Sequence, residues 1–588
     1  MLTAEVLRRR HAAGEVDSLN NYSEEDRLPL EEFVKLPTTV DFQVINSDRF
    51  QSYAASRPYI HLGTRLANDY TVAYTNEENI DTILRELGND FLSLTPKIMS
   101  PLDIQSNDAS GITPVLNQPY LDLSGQGVII GFVDTGIDYL NPAFRFEDGS
   151  TKIISIWDQT LDGERGGGVY FGSTYDSDRI NTALNSSDPY SVVPQYDEDG
   201  HGTFLASVAA SNEKGEYIGA APRANIVSVK LRRARNYYID KYLLSHDDPN
   251  LCESTDYILG IKYILDKANE LDMPVVICIG FGSNTSAHDG NTLFEDYISF
   301  ISQRPGYAVV AAAGNEANKK HHTSGRLMKG SEYETIGIRV GKQGESFTTL
   351  ICSPAFDKIS VGVVSPTGEV VARKPFRSGN EYRESLLLEN SEVIIKYYKD
   401  ISNNIFIGIK NATDGIWEIR LYGDNLVDGN YHAWLPISGQ VSTEIEFLRP
   451  VPEYTIVFPA AAQRIISCGA YDIRDGSLSV ASSWGPTTDG TIAPDLTAPG
   501  VSVQGIYPDG YGTMTGTSVA SAVTAGAAAL LMEWGLIKNN VPNLSGSLIQ
   551  SLLISGCRRQ DNTVYPNVKW GYGRLDLYNS FLFLRETV

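Results

Sequence analysis

The sequence predicts an α/β protein built on a doubly wound parallel sheet, preceded by a small α+β unit and interrupted by an all-β one. Three observations carry this. From Gly127 onward, apolar runs such as "GVIIGFVD" and "PVVICIGFG" alternate with helical segments, as strands buried on both faces do. Between about 330 and 455 the helices vanish and short alternating runs follow one another. Then "RIISCGAYD" returns to the buried-strand pattern. A chain of 588 residues also exceeds one ordinary core, so about two to four domains are expected.

Taken in order, residues 1–38 are charged and weakly patterned, a lead-in. The α+β unit, 39–105, holds the strand-like "DYTVAYT", the helical "NEENIDTILREL" opened by an asparagine cap, and the strand-like "FLSL". The stretch "SPLDIQSNDASGITPVLNQP" is rich in turn formers and reads as a linker. The first part of the α/β body spans 106–329. Its strands are "GVIIGFVD", "NIVSVKL", "PVVICIGFG" and "YAVVAAAGN"; its helices are "GTFLASVAAS" and "STDYILGIKYILDKANEL", the second with apolar spacing of three and four. The insertion, 330–455, carries runs such as "ISVGVVSP", "IFIGIKN" and "GIWEIRLYG" and fits a sandwich or jelly roll. The body resumes over 456–588, where "GTSVASAVTAGAAALLMEWG" is a helix of Ala, Leu and Met stopped near Gly535.

Composition narrows the function. With 42% hydrophobic and 20% charged residues the chain reads as a soluble globular protein. A formal net charge of −24 argues against nucleic-acid binding or adhesion to anionic lipid and favours a cationic or neutral partner. The five cysteines include no CxxC pair and read as reduced thiols, with Cys278 and Cys468 packed inside apolar runs. No apolar h-region follows the first residues, and no stretch of 18 consecutive apolar residues occurs. Synthesis in the cytoplasm without a signal peptide, and no membrane span, are therefore expected.

Four polar residues stand where this architecture places its chemistry. Asp134 ends a buried strand, His201 opens a helix between glycines, Asn315 follows another buried strand, and Ser518 lies in the first turn of the apolar helix. Singly, each has a plain structural reading as a turn starter, a structural imidazole or a cap. Together at one sheet edge they supply an orienting acid, a base, an oxyanion donor and a nucleophile.

The ordered set "VDTGID", "GHGT", "AAAGNE" and "GTSVASAVTAG" resembles the subtilisin-like serine proteases over roughly 106–330 and 456–588. That resemblance implies Asp134 as the acid orienting the imidazole, His201 as general base and then acid, and Ser518 as nucleophile. Asn315 and the Ser518 N–H would form the oxyanion hole. "ICIGFGS" resembles the family's substrate-binding strand, so Gly280, Phe281 and Gly282 are expected to line the first specificity pocket. Within the family the chain is similar to the Csp proteases of spore-forming clostridia, which share a chain without a signal, a prodomain of this size and a jelly-roll insertion in this place. This implies that residues 1–105 are a prodomain, cut off by Ser518 and retained non-covalently; counting back from Asp134 puts the cut near the Gln105–Ser106 bond. It also implies a role in spore germination, with the precursor of a cortex hydrolase as protein substrate. Two departures stand out: Ala522 replaces the proline usual after the serine, and Ala143 and Glu213 occupy positions where many secreted relatives bind calcium. No metal and no other cofactor is expected. His321 and His322 read as solvated loop histidines, and the lone "DTG" lacks the second copy an aspartic protease needs.

Overall fold

The run "IIGFVD" becomes the strand Ile129–Asp134, with every residue buried. It lies inside an eight-stranded sheet with the order Leu496–Pro499, Ile466–Tyr471, Tyr307–Ala312, Val275–Ile279, Ile129–Asp134, Asn225–Lys230, Ile153–Asp158 and Ser173–Asp176. The first seven pair in parallel and the last pairs antiparallel. Strands that follow Ile129–Asp134 soonest in the chain go to one side of it, and later ones go to the other. The sheet therefore reverses direction here, and such a switch opens a crevice at the strands' carboxyl ends. The computed structural model describes residues 28–66, 69–87, 95–96, 98–101, 107–166, 168–212, 217–342, 346–399 and 402–587.

Side-chain alternation along the strands decides which helices cover which face. Ile130 and Phe132 pack with the helices His201–Ala210 and Thr517–Met532, whereas Ile129 and Val133 pack with Ser254–Glu270 and Leu293–Ser302. Every residue of the first two helices is buried, because Ala, Gly, Ser and Val leave room for close approach. The helical stretch Thr517–Ile537 is apolar and long enough to cross a bilayer, but 83% of its apolar window lies inside the fold as a core element. All five cysteines are free and buried, and burial pushes the Cys278 and Cys468 thiols up to about 12.

The N-terminal unit is an antiparallel sheet ordered Thr39–Ile45, Tyr70–Asn76, His61–Arg65, with helices Asp48–Ala55 and Glu77–Leu87. Asn76 Oδ1 accepts the Glu78 N–H at 3.3 Å, as the sequence cap requires. The expected strand "FLSL" lies outside the described residues. The inserted strands, from His322 to Phe447, form two facing antiparallel sheets of six and five strands. Their alternate residues, such as Trp417, Ile419 and Leu421, fill the space between.

The three parts share apolar contacts. Phe42 and Ile80 of the N-terminal unit, Tyr238 and Tyr242 of the body, and Phe406 and Trp434 of the insertion belong to one cluster. The reading of His321 and His322 as solvated is wrong, since both are buried at this seam. His321 Nδ1 lies 2.7 Å from the buried Glu316 carboxylate, and His322 stacks on Trp434 with ring centroids 5.1 Å apart. His288 of the body stacks on the same indole at 4.3 Å, and His432 at 5.5 Å. Burial lowers His288 and His432 to about 4, and burial plus the neighbouring His432 hold His322 well below its ordinary value.

The imidazoles of His288, His322 and His432 are neutral when folded and take a proton near pH 6.5 when unfolded. Their contribution to stability is therefore complete above about 6.5 and is lost as pH falls from there toward 4. The shift at His288 corresponds to about 3 kcal/mol. The difference in Tm between the wild type and His288→Asn should accordingly be largest at pH 7.5 and shrink on approach to pH 4.5. A difference independent of pH would contradict this account of the seam.

Candidate active site

Asp134 reaches the crevice because its strand ends there. Its Oδ1 accepts the Thr135 N–H at 2.8 Å and lies 2.7 Å from His201 Nδ1. Burial pushes this carboxyl up, while His201 and the Thr135 N–H pull it back down. Because a carboxylate faces Nδ1, the neutral imidazole carries its hydrogen there and presents Nε2 as acceptor. Nε2 lies 3.4 Å from Ser518 Oγ. Side chains from three distant parts of the chain thus form one relay, each at most 3% exposed.

The helix bearing His201 is fixed at its first turn by a residue the sequence reading did not single out. Asp197, fully buried, accepts the Gly200 and Thr203 N–H groups at 2.9 Å and the Thr203 hydroxyl at 2.6 Å. A carboxylate here caps the helix and suits its positive end.

Ser518 is the second residue of its helix, where backbone N–H groups have no intrahelical acceptor. The chain enters through Gly516, at φ 155° and ψ −172°, a conformation a side chain would oppose. Asn315 lies beside this turn. Its Oδ1 accepts the Thr517 N–H at 3.1 Å, which fixes the amide's orientation and leaves Nδ2 as the donor. The Thr517 hydroxyl accepts the Gly314 N–H at 3.0 Å, tying the same loop to the serine helix a second time. Ala522, at the position of the usual proline, is buried in an unbroken helix.

Gly280, Phe281 and Gly282 follow the strand Val275–Ile279 and pass directly by the relay. A Cβ on Gly280 would stand 3.1 Å from His201 Cε1 and 3.3 Å from Ser518 Cβ, so the backbone approaches as closely as it does only as glycine. Phe281 is buried and meets the His201 ring edge-on at 5.9 Å. Phe281 and Gly282 pair antiparallel with Pro101 and Ser100. On the other edge Ile98 and Met99 pair with Glu253 and Cys252. The segment Ile98–Pro101 is therefore the middle strand of a three-stranded sheet whose outer strands belong to the body. A cavity of about 250 Å³ beside it is lined by Asp134, Asp199, Leu231, Leu251, Cys252 and Phe281, among others. Gln105 and Ser106 lie outside the described residues, a few positions beyond this strand.

Around Ala143, protein donors bind several backbone carbonyl oxygens. The Asn212 N–H donates to Ala143 O at 2.9 Å, and its side-chain amide donates to Pro142 O at 2.7 Å and Arg145 O at 3.1 Å. The buried Lys152 ammonium donates to Ala210 O, at the end of the His201 helix, and to Pro222 O at 2.5 Å. Glu213 lies outside the described residues. Among the described residues no cluster of three or more His, Cys, Asp or Glu side chains could hold a metal. With Ala143 and Glu213 at the positions where secreted relatives bind calcium, a chelator should leave Tm unchanged. A drop of many degrees on chelation would contradict that.

With the geometry in hand, comparison with known proteins gives consistent matches. The subtilase family model matches residues 125–364 and 429–573. The solved structure of the Clostridium perfringens CspB protease is 31% identical with a TM-score of 0.72, covering 82% of this chain and 98% of that one. A PII-type proteinase of Lacticaseibacillus paracasei is 23% identical over 76% of this chain and 24% of its own length. A C5a peptidase of Streptococcus pyogenes is 21% identical over 70% of this chain and 35% of its own. The chain thus spans about a quarter to a third of the length of these two curated relatives.

Proposed function

The chain belongs to the subtilase family, and from that premise we propose that it is a serine endopeptidase that cuts its own chain and then a protein substrate. The observation that carries this is the Asp134–His201–Ser518 relay. In the proposed cycle His201 Nε2 takes the Ser518 proton as Oγ attacks the peptide carbonyl carbon. The negative charge moves to the carbonyl oxygen, where the Ser518 N–H and Asn315 Nδ2 receive it. Asp134 steadies the imidazolium, which gives its proton to the departing amine as the C–N bond breaks. Water, deprotonated by the same imidazole, then releases the acyl group from Ser518.

Self-cleavage is supported by the antiparallel lie of Ile98–Pro101 against Phe281–Gly282, a substrate's posture for residues upstream of a cut. We place that cut at Gln105–Ser106. Residues 1–105 then remain bound through the apolar cluster they share with the body and insertion. We further propose, from the likeness to Csp proteases, that the enzyme is a spore protein whose substrate is the precursor of a cortex hydrolase.

A fluorophosphonate probe, which reacts covalently with an activated serine, tests the enzyme reading. The folded protein should label, and Ser518→Ala should not. A folded sample, cut behind the N-terminal unit, that fails to label would favour a non-catalytic scaffold instead. Peptide-library cleavage should show a narrow motif, and broad cleavage would favour a general degradative role. The substrate itself is tested by incubating the enzyme with the purified hydrolase precursor, where a single cut is expected.

A further inference from the structure

The outer strand Cys252–Glu253 is one wall of the slot that Ile98–Pro101 occupies, yet only two ladder pairs hold it there. Its other support is a buried charge cluster. The Glu253 side chain is fully buried and accepts the Arg235 N–H at 2.7 Å and Arg235 Nη1 at 2.5 Å. The same Nη1 donates to the carboxylate of Asp41, which is fully buried and comes from the first strand of the N-terminal unit. The Tyr238 hydroxyl donates to the Asp41 carbonyl at 2.5 Å, and Gln43 Nε2 donates to the Thr255 hydroxyl at 3.3 Å. Close by, Arg232 binds both oxygens of Asp256, at 2.7 and 2.9 Å. Arg235 is therefore clamped between one carboxyl group of the body and one of the N-terminal unit.

We propose that the N-terminal unit is a lasting part of the substrate cleft, with Asp41 as a positioning residue that fixes the wall strand Cys252–Glu253 through Arg235. This rests on the endopeptidase reading above. A buried guanidinium that loses one of its two carboxyl partners must repack or regain water, and Glu253 is bound to Arg235 at two points. The wall would shift with it. The unit thus has two separable roles. Its tail fills the slot before the cut, while its sheet props the slot open for the substrates that replace the tail. The apolar cluster around Phe42 and Ile80 would hold the sheet in place when the tail leaves the slot.

The test uses the full chain carrying Asp41→Asn, with Tyr238→Phe as a milder second variant should the first fold poorly. Two readouts separate the wall from the chemistry. One is KM and kcat for a peptide extending four residues upstream of its cut; the other is the rate of fluorophosphonate labelling. Asp41→Asn should still cut itself and label within about twofold of wild type, with KM for the long peptide raised about tenfold, as loss of one charged hydrogen bond implies. Tyr238→Phe should raise KM by about threefold. An unchanged KM in both variants would overturn the proposal. So would a faster enzyme, because a unit that only plugged the cleft would speed turnover when loosened. A wild type that neither labels nor cleaves would sink the endopeptidase reading itself, and with it this one.

Discussion

Ser518→Ala should lower peptide turnover by about 10⁴- to 10⁶-fold while the protein stays folded. The hydroxyl is the atom His201 Nε2 faces at 3.4 Å. His201→Ala should cost about as much, since an unassisted hydroxyl is a weak nucleophile. The double variant should be scarcely worse than either single one, because the groups act as a unit. Circular dichroism of each variant checks that folding is intact, and steady-state kinetics gives the loss. Loss factors that multiply in the double variant would mean that the residues work independently and that the relay is misread.

Asn315→Ala should lower kcat by about 10²- to 10³-fold with KM little changed. The amide is held by its oxygen on the Thr517 N–H, so its NH₂ is ready before the negative charge appears. Such a donor strengthens only as the carbonyl oxygen becomes an anion, which is why the effect should fall on kcat. Asn315→Asp should be at least as damaging, since a carboxylate would repel the oxyanion. A variant with unchanged kcat and raised KM would assign Asn315 to ground-state binding instead.

Much of this arrangement is legible along the chain, because its signals are local. "GVIIGFVD" announces a doubly covered strand with a carboxylate at its end, and Ile129–Asp134 is that strand. The Ser518 helix is legible from its small residues. Elements whose identity depends on distant partners are not. Leu496–Pro499 is a strand only because Ile466–Tyr471 accepts it at the sheet edge, where proline is tolerated. "IISIWD" carries the same apolar signal in a shorter form and passes unmarked until it pairs with Asn225–Lys230. Asp197 sits in "DEDGH", which reads as an acidic loop, and it is buried only once the helix start closes over it. His322 looks solvated until Trp434, far along the chain, stacks on it. Asp41 and Arg235, 194 positions apart, give no sequence sign of meeting.

Intact-mass measurement of the purified protein tests the central claim most directly. Wild type should appear as two fragments that co-elute on gel filtration, with the junction between Ser100 and Ser110, near Gln105–Ser106. The Ser518→Ala protein, prepared in the same way, should appear as one uncut chain. A serine variant cut at the same bond, or a wild type that stays whole after prolonged incubation, would contradict the account.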